Sequence, residues 1–218
     1  MTPTFAKAVD PIFLHVLGLL DRISNGESPD PKEQKTIINN LLTEAQGQLS
    51  QKPDDWRLAK YALVSWVDEV LIEAPWAARE WWYNNVLEVD HFESRIANTE
   101  FFIREKDAAK LTRRDALEVY YLCVVLGFRG FYRTAGSDLA NEADRLDIPH
   151  DVESWAQRTS RAIQLGQGRP SIGGVSRPIE GAPPLDGKYV LLGTTLLGVI
   201  FAAITATVAA VMYLLTVE

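Results

Sequence analysis

Apolar residues recur at helical spacing through most of this chain and then fill its C-terminal end without interruption. Ile12, Phe13, Val16, Leu19, Leu20 and Ile23 lie three or four apart and predict a first helix ending near Ser24. Asp10-Pro11 either opens that helix as cap and first residue or kinks a longer one beginning near Phe5. Asn25-Gly26 ends it. Asp30 before Pro31 is an N-cap followed by proline at the first helical position, predicting a helix to about Gln48 with Ile37, Ile38, Leu41, Leu42 and Ala45 inward. Pro53, with Asp54 and Asp55 in the first turn, opens a third helix to about Glu73, and Pro75 stops it. Shorter helices are predicted over about 77–89 and 100–108.

Thr112 and Asp115 resemble a capping box with aspartate in place of Glu or Gln. The helix they start turns apolar on all sides over 119–126 before Gly127 ends it, and amphipathic segments follow at 137–146 and 152–165. Nothing alternates in polarity for long enough to predict a strand, so residues 1–165 read as an all-α bundle. Residues 166–188 change to Gly, Pro, Ser and single charges, the composition of a flexible linker. As a random coil its r.m.s. reach is on the order of 25 Å. From 189 to 217 no side chain is charged, and only Glu218 follows. About 20 helical residues cross a bilayer's roughly 30 Å hydrocarbon core, so 189–217 is expected to be a transmembrane helix and the chain tail-anchored.

Charge refines this picture. The chain has 218 residues with 22 basic and 29 acidic side chains, a net charge of -7, which argues against a nucleic-acid partner and against sustained contact with anionic headgroups. Arg169, Arg177 and Lys188 precede the apolar segment, and the positive-inside tendency places the N-terminal domain in the cytoplasm and the C-terminus in the periplasm. The single cysteine, Cys123, excludes an internal disulfide and a multi-cysteine metal site; inside an apolar run it reads as a buried, inert thiol.

The third helix carries the most telling charges. Trp56, Ala59, Leu63, Trp66, Val67 and Val70 form one broad apolar face, and the other side holds Leu58, Tyr61, Ser65 and Ile72 with Asp68 and Glu69 flanking Ser65. Carboxylates on such a helix are costly unless they are paired or open onto a groove. They either pair with arginines of neighbouring helices or form an acidic groove that receives a partner's basic or polar groups. Trp56, Trp66, Trp76, Trp81 and Trp82 cluster in one stretch, either as an aromatic core or with Trp81, Trp82 or Tyr83 exposed as an interface anchor. His15, His91 and His150 are isolated and have no metal-ligand spacing, and no GxSxG or phosphate loop occurs. No catalytic residues, cofactor, metal or small-molecule substrate are therefore expected. An enzyme reading would need Asp68, Glu69 or the Asp90–His91 pair to converge as acid–base groups. In the C-terminal segment Thr194, Gly198, Ala202, Ala206 and Ala210 recur every fourth residue, a ridge of small side chains suited to helix pairing.

Two stretches, KYALVSWVDEVLIEAPW over 60–76 and ALEVYYLCVVLGFRGFYR over 116–133, resemble the TssL family of type VI secretion systems, also called DotU, or IcmH in type IVB systems. The resemblance extends through the tryptophan-rich stretch and to the C-terminal segment. It implies a structural, non-catalytic membrane-complex subunit: a hook-shaped helical cytoplasmic domain with one inner-membrane helix. It further implies association with a large TssM/IcmF-like inner-membrane subunit, contact with a baseplate protein such as TssK, and self-association as a homodimer through the anchor. The family's acidic pair falls on Asp68 and Glu69. The expected partner-binding residues are thus Asp68, Glu69, Tyr61, Ser65, Trp81 and Trp82. A type IVB role shares the same physics. One departure stands out: before Phe101-Phe102 the sequence DHFESRIANTE lacks the glycine turn that family members usually show.

Overall fold

Proline and aspartate set the helix starts much as their local chemistry requires. The computed structural model describes residues 1–133 and 137–166. The expected linker beyond Gly166, the transmembrane helix 189–217 and its small-residue ridge lie outside the described residues. Helix α1 (Pro3–Ser24) runs through Pro11, so the longer of the two possibilities at Asp10-Pro11 is the one adopted. In α2 (Pro31–Gln48) the Asp30 side chain accepts the Lys32 N–H at 3.0 Å, the expected cap. Helix α3 (Pro53–Glu73) follows, with Asp54 and Asp55 at the positive end of its dipole.

Helices α4 (Arg79–Asn84), α5 (Leu87–Phe92), α6 (Ala97–Lys110) and α7 (Asp115–Val125) come next, then a 3₁₀ turn (Gly130–Arg133), α8 (Ser137–Leu146) and α9 (Val152–Gly166). No strand occurs among the described residues. Helix α3 is central: α1, α4, α5, α6 and α7 all pack against it, and α9 packs against α7. Every residue from Tyr61 to Asp68 is buried, which is why this helix is apolar on two sides.

One apolar core runs on both sides of α3. Phe13 of α1 lies 5.0 Å from Trp66, whose indole N–H donates to the Leu126 carbonyl at 3.2 Å. On α6, Phe101 stacks on Phe128 at 4.0 Å, and Phe102 meets Phe131 and Trp155 edge-on. Burying each such ring stabilises the fold by about 1.5–3 kcal/mol. Of the described helices, α1 is long and apolar enough to cross a membrane. Its apolar face is occupied, however: Phe5, Val9, Ile12 and Val16 are fully buried in the domain core.

Three local expectations are corrected. The helix predicted over 77–89 is two helices broken at Asn85 and Val86, because a carboxylate from α3 caps a new start at Leu87. Helix α6 begins at Ala97 rather than near Glu100, since the Glu88 carboxylate accepts the Ile96 and Ala97 N–H groups. No capping box forms between Thr112 and Asp115. Asp115 turns instead to the start of α1, accepting from the Thr2 backbone at 2.6 Å and its hydroxyl at 2.9 Å, with Lys52 at 3.3 Å. Beside it the N-terminal amine of Met1 pairs with Glu118.

Candidate functional site

The last two turns of α3 present carboxylates to two helix starts, α5 and the 3₁₀ turn, and Glu88 of α5 serves a third, α6. Asp68 is 5% exposed; its Oδ1 accepts from the Trp82 indole at 3.0 Å and Leu87 N–H at 2.9 Å, its Oδ2 from Glu88 N–H at 2.8 Å. It is the N-terminal cap of α5, supplied from another helix. Glu88, itself buried, caps α6 in turn and also accepts from Tyr61 and Ser94 hydroxyls at 2.9 and 2.6 Å. Glu69 receives the Arg129 and Gly130 N–H groups at 2.7 and 2.9 Å, which begin the 3₁₀ turn, and pairs with Arg133 at 3.0 Å.

Of the two expectations for the acidic pair, the arginine pairing holds for Glu69 alone. Among the described residues no arginine reaches Asp68; backbone and indole donors do that work. Burial pushes its carboxyl up to about 7, opposed by those three donors. Burial, then the neighbouring Glu88, also pushes the Tyr61 phenol upward. The Arg104 guanidinium lies 3.9 Å over the Tyr61 ring, and the Ser65 hydroxyl donates to the Tyr61 carbonyl.

Above this network lies an open pocket of about 350 Å³ whose walls include Ser65, Asp68, Glu69, Glu73, Tyr83 and Arg133. Arg133 also reaches Glu73 at 3.3 Å, and Arg95 stacks over Tyr83, its centre 4.8 Å from the ring. Trp82 is fully buried, Trp81 partly so, and Tyr83 is 55% exposed, so Tyr83 is the aromatic that the tryptophan-rich stretch offers to solvent. Asp90 and His91 do not join this pocket: Asp90 pairs with Lys35 and His91 bonds Asn39, both on α2. The Asp90–His91 pair therefore does not line the pocket with Asp68 and Glu69, as an enzyme reading needs. Cys123 is fully buried and burial pushes its thiol well up. Among the described residues no group of His, Cys, Asp and Glu is placed to hold a metal ion.

Glu73, Glu88 and Arg133 were not expected as members of this network. Arg133 sits at the end of the second motif stretch, so the pairing of the two stretches was the available signal. The reach of Glu88 to α6 left no local mark. The two stretches that carried the resemblance prove to be one contact, since Glu69 of the first holds Arg129, Gly130 and Arg133 of the second.

The fold is similar to two solved structures. One is the cytoplasmic domain of TssL from Acinetobacter baumannii, 23% identical with a TM-score of 0.57, covering 74% of this chain and 98% of that one. The other is T6SS SciP/TssL from enteroaggregative Escherichia coli 042, 17% identical with a TM-score of 0.51, covering 84% and 98%. No curated protein matched. The family described as "Type VI secretion system protein DotU" matches residues 4–217, nearly the whole length. This chain belongs to the DotU family of type VI secretion system proteins.

Proposed function

We propose that the protein is a structural, non-catalytic subunit of the type VI secretion membrane complex, tail-anchored in the bacterial inner membrane. In this reading residues 1–165 form the cytoplasmic domain, 166–188 are a flexible linker and 189–217 cross the bilayer. The domain links a large TssM/IcmF-like subunit to a baseplate protein such as TssK, and the anchors pair through Thr194, Gly198, Ala202, Ala206 and Ala210. The observation that carries the reading is that the family match spans both the helical domain and the apolar segment. The pocket beside Asp68 supplies the docking surface. Tyr61, Ser65, Asp68 and Trp82 form its floor and support, Trp81 buttresses Trp82 edge-on, and Glu69, Glu73 and Tyr83 meet the partner. Carboxylate edges beside an exposed tyrosine suit a basic or hydrogen-bond-donating surface. The test is extraction of the full-length chain from membranes in mild detergent. It is expected to co-purify with a large inner-membrane subunit and a baseplate component. Recovery from the soluble fraction, or recovery alone from membranes, would refute the proposal.

A further inference from the structure

The opposite end of α3 carries a second cleft, of the opposite sign. Between the C-terminal turns of α2 and the first turns of α3 lies an open space of about 860 Å³. Trp56 and Phe92 line it with rings, Arg57 and Lys60 with cations, and Gly47 leaves room, since a side-chain carbon there would meet nothing within 4 Å. Among the described residues no aspartate or glutamate lines the cleft, on a chain whose net charge is -7. On α5, two residues before Phe92, Asp90 is held by Lys35. Arg57 and Lys60 stand one turn apart on one face of α3. Neither makes a hydrogen bond or ion pair among the described residues. Among the described residues Lys60 faces the Phe92 ring, 5.9 Å away, and its charge acts on the His91 imidazole, not on an acid. Burial lowers the Lys60 ammonium below its usual range, so it is partly stripped of water without a counter-charge in return. Two unpaired cations above an aromatic floor are complementary to a carboxylate carried next to an apolar side chain.

We propose that this cleft binds an acidic segment of a partner protein, its carboxylates on Arg57 and Lys60 and an adjoining apolar side chain against Trp56 and Phe92. The site is separate from the acidic pocket at the other end of α3, so either can fail without the other. The probe is a fluorescein-labelled peptide of repeated Asp-Leu-Glu-Phe, titrated by anisotropy against the full-length chain in neutral detergent. Its twin carries Asn and Gln for the acids. Binding of the acidic peptide is expected to weaken by at least about tenfold with Arg57→Glu or Lys60→Glu, and to fall as salt rises. Lys7→Glu, exposed on α1, is expected to change nothing, and Arg57→Gln and Lys60→Gln to give intermediate losses. Melting temperatures are compared to confirm that each variant is folded. Equal binding of the two peptides, no binding of either, or equal loss with Lys7→Glu would overturn the proposal. So would self-association of the chain that Arg57→Glu abolishes, which would assign the cleft to a second copy.

Discussion

Glu69 and Gly130, 61 positions apart in sequence, are joined by a hydrogen bond of 2.9 Å from the glycine N–H to the carboxylate. Gly130 has φ of +53°, and a side-chain carbon placed there would lie 2.6 Å from the Asn98 carbonyl and 3.0 Å from the Phe102 ring. Both the sign of φ and the close approach of backbone demand glycine. Gly130→Ala is therefore expected to destabilise the domain by about 2–4 kcal/mol. Urea unfolding of the variant checks this, and a loss within error of zero would mean the turn is not held as described.

Asp68→Asn replaces an acceptor of three N–H donors with a group that must offer one of its own, at an expected cost of about 1–3 kcal/mol at neutral pH. The sign with pH is also fixed. Because burial raises the folded-state value to about 7, the folded protein takes up this proton before the unfolded chain does. The contribution of Asp68 to stability therefore rises as pH falls from about 8 through 7 toward 4. Asp68→Asn lacks this gain. Denaturant melts at two pH values should show the wild type improving relative to the variant in acid; parallel slopes would contradict it.

Asp115 behaves in the opposite sense. Burial acts upward on its carboxyl, but the Thr2 backbone and hydroxyl and the Lys52 ammonium outweigh it and hold the group below its usual value. Its stabilising contribution is full above the ordinary carboxylate range and is lost as pH falls through the lowered value. Asp115→Asn should therefore loosen the start of α1 at pH 7, with the gap to wild type closing below about pH 4. Hydrogen exchange at the first turns of α1 reads this directly.

Trp82 and Tyr83 are neighbours with different duties. Trp82 is fully buried, so Trp82→Ala should cost about 3–5 kcal/mol and unfold much of the pocket. Tyr83→Ala should leave the melting temperature nearly unchanged and reduce recovery of a partner from detergent extracts. Equal effects of both variants on stability would mean Tyr83 is part of the core.

Much of this fold was legible from local chemistry. The ends of α2 and α3 were, because Asp30-Pro31, Pro53 and Pro75 act within a turn of where they stand. The division between α4 and α5 was not, because the group that caps α5 is Asp68, 19 positions before Leu87. The early start of α6 was hidden for the same reason: Glu88 supplies its cap, where a glycine turn was sought and not found. In the site, the periodicity of α3 singled out Asp68 and Glu69. It could not show that their oxygens face helix starts, since trans caps leave no spacing in the chain. Arg57 and Lys60 passed unnoticed because cations at helical spacing are ordinary on solvated faces.

The central claim is that this domain docks other secretion subunits at the acidic pocket while 189–217 hold it at the membrane. A photoreactive residue in place of Tyr83, in the full-length chain in cells, tests it most directly, with Leu14 on α1 as the exposed control. The account predicts a crosslink from position 83 to the large inner-membrane subunit or a baseplate component, in the membrane fraction, and none from position 14. A crosslinked chain found only in the soluble fraction, or the same product from both positions, would contradict it.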